Sequence, residues 1–394
     1  MKQIVKFTVV VLLVLASCIF IQAVARAAEK GDFSTAPRDN NGKKWRIGYY
    51  EGGEYNDYQL TLIATIKGLM EIGWIEPAEI PPQEGIQTKG LWNWLAEQAK
   101  SNYLEFPKEA YYSADWDDAL REKMAPEIID RLNGKKDLDL MIAMGTWAGK
   151  DIANDKHGTP ILVLSTSDPV ASGIIKSAED SGYDNVHARV DPTRYERQLQ
   201  VFNDIIPFET LGVFYEDTDA GKTYAALDKV EKIAKERGFE IVTCHTISDT
   251  PDIKVAEESV VKCLNELGEK KVEAIYVTKQ NGVNPDSLPK LVGILNNYRI
   301  PSFSQSGSEE VRRGILLSIS MAGFKYVGRF HAENVAKILN GAKPRDVNQV
   351  FESPPKIAIN LATASIIGYD PPVDVLGAAD EIYQEIEATE SKAE

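Results

Sequence analysis

The chain is poor in the residues that most reactive sites need. Its 394 residues include three Cys and four His. No His lies at metal-ligand spacing from another His or Cys; the only such neighbours are the adjacent pair Cys244-His245, which is no site by itself. There is no Gly-x-Ser-x-Gly elbow and no Ser/His/Asp set suggested by local spacing. Runs of Lys and Arg are absent, and 44 basic residues face 59 acidic ones, for a net charge of −15. A surface of that sign repels phosphate backbones, so nucleic acid is not an expected partner. Gly and Pro are scattered without period, which excludes collagen-like rods.

Long apolar runs are confined to the N-terminus. Lys2 and Lys6 precede an apolar stretch from Val9 to Val24, followed by small residues at Ala23-Val24-Ala25-Arg26-Ala27-Ala28. This reads as an export signal over residues 1–28, cleaved near Ala25–Ala28. Leu15-Ala16-Ser17-Cys18 also resembles a lipobox, so lipidation at Cys18 ranks second and an uncleaved anchor third. All three place the body in the periplasm or otherwise outside the cytoplasm. Removing the signal's three cations takes the net charge to −18. Export permits a disulfide between Cys244 and Cys263; two buried thiols are the other reading.

What is present is alternation. Residues 29–44 are polar and read as a linker. From Trp45 on, strand patterns occur at Arg46–Tyr50, Leu140–Met144, Ile161–Leu164, Leu211–Tyr215, Glu240–Thr243, Ala274–Thr278 and Ser302–Phe303. Between them lie helical patterns such as Tyr58–Ile72, Thr193–Ile205, Lys222–Arg237 and Tyr326–Leu339. Gly73, Gly134, Gly238, Gly268 and Gly341 close helices. The fold class is therefore α/β with parallel sheets.

Ligands in such sheets bind beyond the carboxyl ends of the strands. The candidate contacts are thus Tyr50, Glu51, Gly145, Thr146, Trp147, Thr166, Ser167, Asp168, Tyr215, Glu216, Lys279, Asn281, Gln305 and Ser306. Hydroxyls, amides and acids dominate this set, which suits a polar small molecule. Tyr50 and Trp147 serve either packing or an aromatic wall. Glu51 and Asp168 suit a ligand ammonium; they form a general acid/base pair only if the fold joins them. Two P-loop imitations fail: Gly145 to Gly149 is one residue short with Asp151 in place of Ser/Thr, and Glu216 stands where the first Gly of the second belongs. No metal, cofactor or catalytic residue is expected. His331 reads as a surface or interface residue.

Gly145-Thr146-Trp147-Ala148, Thr159-Pro160-Ile161-Leu162-Val163 and Ser167-Asp168-Pro169-Val170-Ala171-Ser172-Gly173, followed by Ile206-Pro207, Glu273–Val277, Gly314–Ser318, Ala336–Gly341 and Ile357–Asn360, carry a resemblance. In order and spacing they resemble the ABC-transporter substrate-binding family that includes tryptophan- and tyrosine-binding lipoproteins. The resemblance implies a type I periplasmic-binding-protein fold, with two lobes joined by three crossovers near Asn185–Asp191, Ser304–Ser306 and Val347–Ser353. Lobe 1 would hold residues 45–187 and 306–346, lobe 2 residues 188–305 and 347–385, with a flexible tail at 386–394. It implies capture of a small polar solute such as an amino acid, an ABC permease as partner and a monomeric, non-enzymatic chain. A ligand-sensing module for a membrane receptor is the alternative, and an exported hydrolase or lyase a third reading. The segment from Gln83 to Met124 runs long; its Trp92 and Trp94 suggest either extra packing or an exposed rim or partner surface.

Overall fold

The computed structural model describes residues 33–321, 323–352 and 355–387. The export signal and Cys18 lie outside the described residues, as does most of the expected tail. Among the described residues, no helix is long and apolar enough to cross a membrane.

Two sheets organise the chain. The first has strand order β2-β1-β4-β5-β6, with β1 at Trp45–Glu51, β2 at Leu104–Glu105, β4 at Leu140–Met144, β5 at Ile161–Leu164 and β6 at Val186–Ala188. A further strand, β3 (Tyr111–Ser113), pairs with the C-terminal half of β1. All these pairings are parallel. Strands β4 and β5 are buried along their whole length. Continuous apolar runs such as Leu-Met-Ile-Ala-Met suit strands covered on both faces.

The second sheet runs β13-β12-β11-β10-β9-β7-β8. Its strands are β7 (Thr210–Glu216), β8 (Glu240–Thr246), β9 (Ala274–Val277), β10 (Ser302–Ser304), β11 (Leu317–Met321), β12 (Pro355–Asn360) and β13 (Ala379–Tyr383). Only β11 and β12 pair antiparallel. Each sheet has its own apolar core, the second sheet one on either face.

The chain crosses between lobes three times. The first and third crossovers touch at a parallel bridge from Val190 to Val350. The second falls after Met321, because β11 pairs with β10 and β12. Residues 306–321 therefore belong to the second sheet, not to the first lobe as the resemblance implied. The chain then returns to lobe 1 as a helix over Gly323–Leu339 (below, the returning helix), which crosses Asn56–Glu71 (α1). The crossing is backbone-close: a Cβ on Gly328 would meet the Ala64 carbonyl at 2.4 Å, so only glycine fits there.

Four further expectations change. The linker is docked: Trp74 Nε1 donates to Thr35 O (2.9 Å) and Asn340 Nδ2 to Ser34 O (2.8 Å). Trp92 and Trp94 are buried, at 0% and 6% exposure, and the long segment extends the first sheet through β2 and β3. The tail's first residues are held too, with Glu387 N donating to Arg312 O at 3.1 Å. The helix expected over Lys222–Arg237 breaks at Ala226, whose φ is +50°. Cys244 and Cys263 form a disulfide that ties β8 to the helix Ile253–Glu269.

Candidate functional site

The carboxyl ends of the strands in both sheets face each other across the interlobe cleft. Several contacts bridge it. Trp147 Nε1 donates to Asp249 Oδ2 at 2.9 Å, Lys279 pairs with Asp57, Tyr195 OH donates to Ser167 O at 3.3 Å, and Lys229 lies 3.8 Å from Asp168. The lobes are thus closed on each other, and the cleft has two unlike halves.

One half is solid. Gly145 opens a helix over Gly145–Ile152 with φ +85°, and a Cβ there would fall 1.8 Å from the Tyr58 hydroxyl. Trp147 lies edge-on to Trp116 (5.3 Å) and under the Arg121 guanidinium (4.4 Å). Arg121 forks onto Asp151, which also accepts from Tyr50 OH at 2.7 Å. Asp249 accepts from Trp147 and from Tyr224 OH (3.2 Å). Burial, and then the charge of Glu216, push its carboxyl up to about 7. Glu51 is fully enclosed below, accepting from Tyr49 OH (2.6 Å), Thr88 Oγ1 (2.7 Å) and Tyr111 OH (2.9 Å). Burial raises it to about 7 against those hydrogen bonds.

The other half holds a cavity of about 490 Å³. The start of α1 supplies Asp57, and the turn after β5 supplies Ser165, Thr166 and Ser167. Ser165 sits at φ +55°, in the left-handed region. Lobe 2 contributes Lys279, Ser306, Glu310, Arg313 and Arg194, the first residue of the helix Arg194–Ile205; the first crossover gives Arg189, and the returning helix gives His331. Tyr55, Leu60, Val283, Leu288, Phe324 and Val327 form its apolar lining.

The polar lining is incompletely satisfied. Thr166 Oγ1, Arg194 Nε, Arg313 Nη1 and His331 Nε2 are buried and lack a hydrogen-bond partner among the described residues. Buried polar groups are rarely left so. Burial and the adjacent Arg194 lower Arg189 to about 10, still charged at neutral pH. Burial, with Arg189 and His187 nearby, holds His331 well below its usual value, so it is neutral. Burial raises Glu310 to about 7, although Ser304 Oγ donates to it at 2.6 Å. His331 is 1% exposed, against the surface position expected of it; it packs inside because the returning helix turns that face toward α1.

Of the fourteen candidate contacts, Thr166, Ser167, Lys279 and Ser306 line this cavity. Gln305 stands behind it, accepting from Lys279 N (2.6 Å) and donating to Tyr224 O (2.8 Å). Tyr50, Glu51, Gly145, Thr146 and Trp147 are buried in or beneath the solid half. Glu51 and Asp168 are not joined into an acid/base pair: Asp168 caps its own turn, accepting from Val170 N (3.0 Å) and Ala171 N (2.9 Å). Glu216 accepts from Ser248 N at 3.1 Å, Asn281 Nδ2 donates to Ser248 O at 3.0 Å, and Tyr215 packs on the His245 ring at 5.3 Å. Sequence reasoning missed Asp57, Arg189, Arg194, Glu310, Arg313 and His331. For Arg189 alone there was a signal, the crossover that the resemblance located at Asn185–Asp191. Among the described residues no cluster of His, Cys, Asp and Glu could hold a metal.

Residues 109–382 match the family described as ABC transporter substrate binding protein. A tyrosine-binding protein of Clostridioides difficile (strain R20291) is 26% identical over 227 residues, 57% of this chain and 61% of that protein. The match thus spans about three fifths of that relative's length. Among solved structures, an ABC domain from Streptococcus pneumonia in complex with L-Trp is 20% identical, with a TM-score of 0.65, covering 86% of this chain and all of the other. A ligand-free, open substrate-binding protein with adhesive properties from Clostridium difficile is 21% identical with a TM-score of 0.56, at the same coverage. The fold is that of type I periplasmic binding proteins. The chain belongs to the family of ABC transporter substrate-binding proteins.

Proposed function

We propose that the protein is an extracytoplasmic solute-binding protein that captures a small carboxylate-bearing molecule between its lobes and delivers it to an ABC permease. The observation that carries this reading is the set of unpartnered donors at one cavity: Thr166, Arg194 and Arg313. Two guanidinium groups and a hydroxyl are suited to a carboxylate, by charge-assisted hydrogen bonds. The solved relative that holds L-Trp and the tyrosine-binding relative support a ligand of this size and acid group. Contacts from both lobes to one ligand exist only when the lobes are closed, so binding shifts the protein toward closure. This is capture without chemistry, and a single chain suffices for it.

Native mass spectrometry of the mature protein, purified without added ligand, tests the reading. A defined extra mass that leaves on unfolding is expected. A bare protein that also shows no thermal shift against a panel of small carboxylates would overturn it.

A further inference from the structure

Recognition of an amino acid needs a place for its ammonium as well as its carboxylate. The cavity has three carboxyls that could supply one: Asp57, Glu309 and Glu310. None is open. Glu309 accepts from Arg312 Nε (3.2 Å) and Arg313 Nε (3.1 Å). Glu310 is enclosed on Ser304 Oγ. Asp57 holds the Lys279 ammonium across the cleft, with both side chains only 13–14% exposed. Lys279 and Glu310 line the same cavity. The corner where a ligand's ammonium would dock is thus filled by a side chain of the protein.

Resting on the reading of this cavity as the ligand site, we propose that the cargo is an amine-free carboxylate with an apolar body, because Lys279 supplies the ammonium itself. A second ammonium in the same closed corner would meet a like charge in a poorly screened site. Thr166, Arg194 and Arg313 keep donors for a carboxylate, and Tyr55, Leu60, Leu288 and Phe324 add apolar surface to the lining. The lining carries four Arg and Lys side chains against the three carboxyls, a balance that favours a net anion over a zwitterion.

Calorimetric titration of the mature protein with matched pairs tests this: 3-phenylpropanoate against phenylalanine, 3-(4-hydroxyphenyl)propanoate against tyrosine, and 4-methylpentanoate against leucine. Each pair differs only in the α-ammonium. The amine-free acid is expected to bind about ten-fold or more tightly than its partner in at least one pair. Lys279→Gln should open the corner and narrow or reverse that preference. If the amino acid binds as well or better in every pair that binds, the proposal is overturned while interlobe capture stands. If no member of any pair binds, the proposal also falls, and the retained mass described above decides separately whether capture survives. The wild-type pairs decide the matter even if Lys279→Gln folds poorly, with Asp57→Asn as a second variant acting on the same ion pair.

Discussion

The two halves of the cleft are built from the ends of the same strands, yet one is finished and the other is not. In the solid half each named donor has its acceptor: Trp147 and Tyr224 on Asp249, Arg121 and Tyr50 on Asp151. In the open half Arg194, Arg313 and Thr166 retain donors with no acceptor among the described residues. Both halves contain the aromatic, hydroxyl and charged residues that binding sites use. What separates them is satisfaction of hydrogen bonds. A group with its partner supplied by the fold holds the lobes together, and a group without one awaits a ligand.

The largest expected effect comes from breaking the solid half. Trp147→Ala removes a buried ring, the Asp249 hydrogen bond and the Arg121 stack, and should destabilise the protein by about 3–5 kcal/mol, read by denaturant unfolding. Affinity of the surviving folded protein for its carboxylate should change much less. Arg194→Ala should do the opposite, weakening ligand binding by about ten- to hundred-fold with a modest effect on stability, read by calorimetry. If the two variants exchanged roles, the halves would be wrongly assigned.

A third change sharpens the contrast through pH. Burial lifts Asp249 from 3.8 to about 7, so its ionised form is disfavoured in the folded state. Its stabilising contribution is full below pH 3.8, declines as pH rises toward 7 and is gone above it. Asp249→Asn keeps an acceptor for Trp147 and cannot ionise. The variant should gain stability relative to wild type at pH 8, by about 1–3 kcal/mol, and little at pH 4. Glu51 and Glu310, also raised to about 7, share the wild-type slope and cancel in the difference. A constant difference across this range would count against a buried ionisation at Asp249. The smallest effect is expected at Lys229→Met, which loses a long, 3.8 Å pairing with the partly buried Asp168 and a neighbouring one with the exposed Asp228; loose pairs of this kind contribute about 0–1 kcal/mol, and melting temperature should barely move.

Much of the fold was readable because period and punctuation agreed: Leu140–Met144 and Ile161–Leu164 became strands at those limits. Strands β2 and β3 were not readable, since two or three residues carry no period. At the site, the strand-end rule found Thr166, Ser167, Lys279 and Ser306 because each follows a strand directly. It misplaced Glu51. Side chains two apart on a strand share a face, so Glu51 points with Tyr49, and the 2.6 Å hydrogen bond between them fills that position. Arg189 and Arg194 escaped because one lies in a crossover and the other opens the helix after it, where single cations leave no pattern. The ion pair of Lys279 with Asp57 joins residues 222 apart in sequence, and no local rule anticipates it.

The return of the chain to lobe 1 has a consequence for the order in which the molecule is made. Glu71 ends α1, and its partner helix does not begin until Gly323, 252 residues later. Leu62, Ile66 and Leu69 share a core with Ala332, Val335 and Leu339. At ribosomal speeds of about 5–20 residues per second, that interval lasts on the order of tens of seconds. Throughout it lobe 1 lacks one wall of its core, even after its last strand has been completed at Ala188. The first lobe to be started therefore cannot finish until the chain is nearly complete, and the second still awaits β12 and β13 after that, so the nascent chain stays open until nearly all of it exists.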